Sequence, residues 1–200
     1  MTGPVEHGVD PVIGQFAPQS EGQLMTPREL EEYTALRATI RQRGSLRVGL
    51  FVAALAAWAA ATIATAALAA LPIATLLPLL LLSAGFEALF SLHTGVERIG
   101  RYLQVFYEDT GATGREWERT AMAYGRAYPG GSDPLFGLHF MIATVLNFVP
   151  VILAEPVQLD VSVVGAVHLG FIARILLARH AAAGQRARDL DRFQHLKERS

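Results

Sequence analysis

The chain has no cysteine, and Lys197 is its single lysine. Without cysteine there are no disulfides, thiolate metal ligands or thiol nucleophiles, and the redox compartment is left open. Basic charge rests almost wholly on arginine, which together with abundant alanine points to a GC-rich bacterial genome. A more informative absence lies between Val48 and Phe86, where no Asp, Glu, Lys or Arg occurs. A bilayer is crossed by roughly 20 predominantly apolar residues. This stretch holds almost two such lengths, divided at Leu71-Pro72, and therefore reads as a membrane hairpin rather than a buried helix.

Lys and Arg are also missing between Arg47 and Arg98 and between Arg126 and Arg174. Basic residues near span ends are retained on the cytoplasmic side. Both termini and the central segment are thus expected in the cytoplasm of a plasma (inner) membrane protein, with the short turns Ala70 to Ile73 and Ala154 to Asp160 outside. The whole chain of 200 residues is 52% hydrophobic, with mean hydropathy +0.31, and reads as one unit. Its formal net charge of -1 gives no basis for nucleic-acid binding.

Residues 1–25 carry Glu6, Asp10 and Glu21 with no basic residue, lack helical periodicity, and are expected to be a disordered tail without a secretory leader. Thr26-Pro27-Arg28-Glu29 then offers a capping box with proline at the first helical position. The juxtamembrane helix it opens, 27–43, has Leu30, Tyr33, Leu36 and Ile40 on one face and is followed by Gly44-Ser45, a plausible bend. Arg37, Arg41, Arg43 and Arg47 precede the first span, at the headgroup level of an anionic leaflet.

The spacing predicts spans over about 46–71, 72–96, 135–154 and 157–178 within a membrane domain covering 26–178. The fold class is all-α: an integral membrane four-helix bundle built of two transmembrane hairpins with amphipathic cytoplasmic helices. The second helix is expected to continue as a cytoplasmic stalk through His93, Glu97, Arg101, Gln104 and Glu108, with Glu97, Arg98 and Arg101 as a charge network. In the central segment, 97–133, Thr113-Gly114-Arg115-Glu116 repeats the capping-box pattern, and Trp117, Ala121, Tyr124 and Tyr128 share one face of the helix that follows. That aromatic face suits either the membrane surface or the side of the stalk. Pro129-Gly130-Gly131 ends it and Asp133-Pro134 caps the third span. Arg174 interrupts the fourth span near its cytoplasmic end, from where it can snorkel to the headgroups. Residues 179–200 form a basic tail in which Leu190, Phe193 and Leu196 recur at helical spacing.

Ionisable and polar groups inside spans carry an insertion penalty, about 2.5–3.5 kcal/mol for Asp, Lys or Arg at mid-bilayer. Glu87 shares a side of its helix with Ser83, Ser91, Thr94 and Arg98, a stripe expected to face the bundle interior. His93, His139 and His168, counted inward from the cytoplasmic ends of their spans, are candidates for one layer, which would permit a metal site with Glu97 or axial haem ligation. Asn147 is expected to bond a neighbouring helix. The glycine-rich pieces Gly111–Gly114 and Gly130-Gly131 lack the preceding strand and the lysine of a phosphate-binding loop, and no Ser-His-Asp arrangement can be assigned.

The pattern favours a non-enzymatic membrane scaffold or interaction module, in contact with the lipid bilayer and engaging a cytoplasmic protein partner or a second copy of itself. No catalytic residue and no cofactor are implied. The alternatives are a small oligomeric transporter or ion-conducting subunit using Glu87 as its protonatable group, and a metal- or haem-binding membrane redox protein.

Overall fold

The computed structural model describes residues 25–66, 72–109, 116–128, 133–153 and 157–199. The N-terminal tail, the two predicted outer turns in large part, the Thr113–Arg115 part of the second capping box and the Pro129–Gly131 stop lie outside the described residues. Among the described residues every regular element is helical: α1 (Pro27–Ala66), a 3-10 turn (Pro72–Thr75) leading into α2 (Leu76–Leu103), a π-helical turn (Gln104–Glu108) ending it, α3 (Trp117–Ala127), α4 (Gly137–Leu153) and α5 (Gln158–Glu198).

The first capping box forms as its residues require. The Thr26 N–H donates to Glu29 Oε2 at 2.7 Å, and the Glu29 N–H donates to Thr26 Oγ1 at 3.3 Å. From there α1 runs for 40 residues without a break. Gly44-Ser45 is therefore not a bend: one glycine costs a helix about 1 kcal/mol, and here the turns on both sides are held against α2. Likewise the basic tail is no separate helix, because α5 continues from the apolar segment through 41 residues, roughly 60 Å at 1.5 Å per residue.

Among the described residues three helices are long and apolar enough to cross a membrane: α1, α2 with its flanking turns, and α5. α4 is also apolar but shorter, at 17 residues. It is shorter than the predicted 135–154 because Phe136 sits at φ +50°, a left-handed conformation that stops the helix propagating backwards. Asp133 supplies the start instead, accepting from the N–H groups of Leu135 at 3.1 Å and Gly137 at 2.8 Å.

The apolar half of the molecule packs around Leu82, Phe86 and Leu89 of α2, with Phe140 of α4 and Phe171, Ile175 and Ala178 of α5. Phe86 meets Phe140 and Phe171 edge-on, at 5.4 and 6.0 Å between ring centroids. α1 and α2 approach closely where Ala54 packs on Gly85, so tightly that a Cβ on Gly85 would overlap the Ala54 side chain. Small residues permit the backbones to come this close. Leu77, Leu80, Val145, Ile152, Val163, Leu169 and Leu177 form an exposed apolar surround.

Below this band α1, α2 and α5 continue side by side as the expected stalk. Tyr102 packs edge-on against Phe193 of α5 at 5.7 Å and donates its hydroxyl to Glu32 Oε1 of α1 at 2.8 Å. Burial, reinforced by this bond, pushes the Tyr102 phenol up to about 12. Lys197 donates to the Val105 carbonyl at 2.7 Å, satisfying an acceptor at the end of α2. Leu196, by contrast, is exposed.

Candidate functional site

The most elaborate polar construction lies at the far end of the stalk and holds α3. The Glu108 side chain is 0% exposed, and its carboxylate faces the first turn of α3. There it accepts the backbone N–H groups of Glu118 at 2.9 Å and Arg119 at 3.0 Å. These are orphan donors of the helix start, and a carboxylate also suits the positive end of the helix dipole. Arg37 of α1 reaches the same carboxylate with Nη2 at 3.3 Å and Glu118 Oε1 with Nη1 at 2.7 Å. Arg101 of α2 closes the group, donating to Glu118 Oε2 at 3.3 Å and to Gln104 Oε1 at 2.7 Å. Burial holds the Arg101 guanidinium below its usual range, with Glu97 and Glu118 acting against that shift. Gly100 makes the approach possible, since a Cβ there would come within 2.8 Å of Glu118 Oε2.

Two arginines and two glutamates thus mount α3 by its polar side. The consequence is an inversion: Trp117, Tyr124 and Tyr128 are 67%, 66% and 66% exposed. Of the two placements open to the aromatic face, packing on the stalk is the one not adopted. Trp117 instead borders a surface hollow with Tyr33, Thr34, Arg37, Ile40 and Arg41 of α1. The sequence singled out Trp117, Tyr124 and Tyr128 but not their mount, whose members Arg37, Gln104, Glu108 and Glu118 come from three separate parts of the chain. The one local signal was the acidic pair Glu116 and Glu118 at a helix start.

The stalk network is wired between helices rather than along α2. Glu97 pairs with Arg186 of α5 at 2.7 Å, Arg98 approaches Asp189 at 3.7 Å, and Arg101 turns to Glu118.

In the apolar half, Glu87 does not face the interior. The enclosed side of α2 is Leu82, Phe86, Leu89 and His93, while Glu87 is 43% exposed by side chain and pairs at 2.7 Å with Arg174, itself 40% exposed. Arg174 also covers the Phe90 ring at 5.1 Å. Two charges, each unfavourable alone beside apolar surface, compensate one another at the bundle rim, so the stripe turns outward and Arg174 is paired.

Asn147 is the interior hub. Its Oδ1 accepts from Trp58 Nε1 of α1 at 3.1 Å, and its Nδ2 donates to the Thr75 carbonyl at 2.9 Å and to His168 Nε2 of α5 at 3.0 Å. Hydrogen positions follow from the partners. Indole N–H only donates and a carbonyl only accepts, so His168 carries its proton on Nδ1 and gives it to the Val164 carbonyl at 2.8 Å. Every polar atom of Asn147 and His168 is used, and four elements are tied together.

The three histidines do not form one layer. His168 lies ten residues inside Ala178, roughly 15 Å up the helix, and reaches the Thr75 end of the bundle. His93 is buried, and its Nδ1 accepts from Arg47 Nη1 at 3.2 Å, so its proton is on Nε2. His139 is exposed and packs edge-on against Phe51 at 5.5 Å. Equal counting from span ends set neither depth nor rotation. Among the described residues no group of three or more His, Asp or Glu side chains is arranged to hold a metal.

No protein-family model matches the chain, and neither curated proteins nor solved structures yield a match to it. Fold and site define an all-helical protein with three helices able to cross a membrane.

Proposed function

We propose that the chain is a multi-pass protein of the inner membrane with both termini in the cytoplasm, and that it acts without catalysis as a scaffold presenting α3 to a cytoplasmic protein. The observation that carries this reading is the inverted mount of α3, in which buried ion pairs occupy one side and leave an aromatic face unfilled on the other. Isolated exposed apolar residues need no explanation, but an aromatic row on a rigid base is the usual composition of an interface core. Its position favours protein over lipid. Glu118 sits against Gly100, eight residues past Leu92, so the start of α3 stands roughly 12 Å beyond the apolar end of α2.

A four-span arrangement is supported by α4 lying along α5. The Gly137 end of α4 meets Ile175 and Arg179, and Asn147, ten residues further on, meets His168 and the Thr75 carbonyl. The transporter alternative is less well served, because the Glu87 carboxylate is committed to Arg174 at the rim. The test is capture after mild detergent extraction with wild type and a Trp117→Ser/Tyr124→Ser/Tyr128→Ser variant. Recovery of a stoichiometric protein by the wild type and its loss in the variant is the expected result. A partner-free wild type overturns the scaffold reading.

A further inference from the structure

Arg43 and Arg47 are one turn apart on α1, and both look onto α2. Arg47 Nη1 donates to His93 Nδ1 at 3.2 Å. The Arg43 guanidinium lies over Gly95, where an added Cβ would come within 2.8 Å of Nη1. Four other arginines, Arg37, Arg101, Arg119 and Arg174, each meet a carboxylate at 3.3 Å or less. Among the described residues neither Arg43 nor Arg47 has a carboxylate within 4.0 Å, and the His93 ring is the one acceptor that either of them meets. Arg47 Nε is shielded and has no acceptor.

The surrounding charges do not neutralise the pair. Glu97 and Asp133 are the carboxylates whose fields reach His93, and each has its own arginine, Arg186 at 2.7 Å and Arg179 at 3.8 Å. Two positive charges are left over, both in a crevice between two helices. Its level is that of the headgroups, since the uncharged run starts at Val48 directly after Arg47 and the apolar part of α2 ends at Leu92 directly before His93.

We propose that Arg43, Arg47 and His93 form a binding site for a phosphate oxyanion at the cytoplasmic face, occupied in the membrane by the phosphate of an anionic phospholipid. Guanidinium forks match phosphate oxygens in pairs and remain charged at any working pH. His93 contributes by position: its Nδ1 accepts from Arg47 and holds that guanidinium against α2. Gly95 supplies the room in which Arg43 lies flat on α2.

The site rests on the membrane reading, and the experiment separates the two. Native mass spectrometry in detergent would compare wild type, Arg43→Gln/Arg47→Gln and the control Arg28→Gln, titrated with phosphatidylglycerol or phosphatidylcholine. Wild type and control retain phosphatidylglycerol selectively, and the double variant weakens that retention about thirty-fold, the effect of two basic groups at an anionic surface. Gly95→Leu, which changes no charge, weakens it too and carries the comparison if the double variant does not fold. Competition by millimolar inorganic phosphate identifies free oxyanion as a second occupant. Selectivity without competition assigns the site to lipid. Equal phosphatidylglycerol retention by wild type, the double variant and Gly95→Leu, all folded, overturns the proposal. Alkaline carbonate extraction reads the membrane claim by itself: a chain released from the pellet refutes it, while the phosphate titration still reports on the crevice.

Discussion

Glu87 of α2 and Arg174 of α5 close an ion pair of 2.7 Å across two helices in the apolar half of the bundle, both with about two fifths of the side chain exposed. Removing one member leaves the other as an uncompensated charge in the apolar half of the bundle. Glu87→Gln and Arg174→Gln should each destabilise the protein by about 1–2 kcal/mol, less than the mid-bilayer figure because both groups sit near the ends of the apolar segments. The double variant should recover most of the loss, because each charge is unfavourable mainly without its partner. Thermal unfolding in one detergent checks this, and additive losses would show that the two groups are not coupled.

Glu108 anchors the start of α3, and its substitution should release that helix without unfolding the bundle. Glu108→Ala removes the two carboxylate oxygens that accept the Glu118 and Arg119 amides and leaves Arg37 with Glu118 as its one carboxylate. A lost helix cap is worth about 0.5–2 kcal/mol. Hydrogen exchange at the Glu118 and Arg119 amides should accelerate about tenfold, the rate change that corresponds to roughly 1.4 kcal/mol. Protection along α2 should stay as in the wild type, and unchanged exchange at both amides would contradict the capping role.

Asn147 ties α1, the 3-10 turn before α2, and α5 through three hydrogen bonds. Asn147→Leu keeps the volume and removes all of them, leaving Trp58 Nε1 without its acceptor. The expected loss is about 1–3 kcal/mol. Trp58 emission should shift relative to a Trp117→Phe background that isolates it. No change in either signal would mean that the hub carries no weight in stability.

These residues also mark what was legible in advance. Thr26–Glu29, Asp133 and the uncharged run at Val48–Phe86 act locally, so capping, the presence of long apolar helices and the all-helical class were readable from spacing alone. Asn147 was readable as a cross-helix donor, but its partners were not, because they depend on helix rotation. Glu87 was expected inside and lies at the rim, since the cation that compensates it is 87 residues away. The three histidines failed as a group for the same reason: depth along a helix says nothing about which neighbour a side chain meets. The mount of α3 was hidden because Arg37, Glu108 and Glu118 each look solvated within their own segment.

Gly85 and Ala54 set the spacing of α1 against α2. Gly85→Ala should overpack the contact and destabilise by about 1–3 kcal/mol. Adding Ala54→Gly should restore part of that loss by vacating the colliding methyl group. Thermal unfolding of the pair and both singles checks it, and a Gly85→Ala protein as stable as wild type would refute the close approach.

The absence of cysteine makes topology directly measurable, since any cysteine introduced is the only one. Ala70→Cys and Ala154→Cys mark the expected outer turns, with Ala112→Cys in the central segment and Ala183→Cys in the tail. In intact cells a membrane-impermeant maleimide should label the first two and reach the last two only after lysis. Labelling of Ala112→Cys in intact cells, or recovery of the chain in the soluble fraction, would contradict the account.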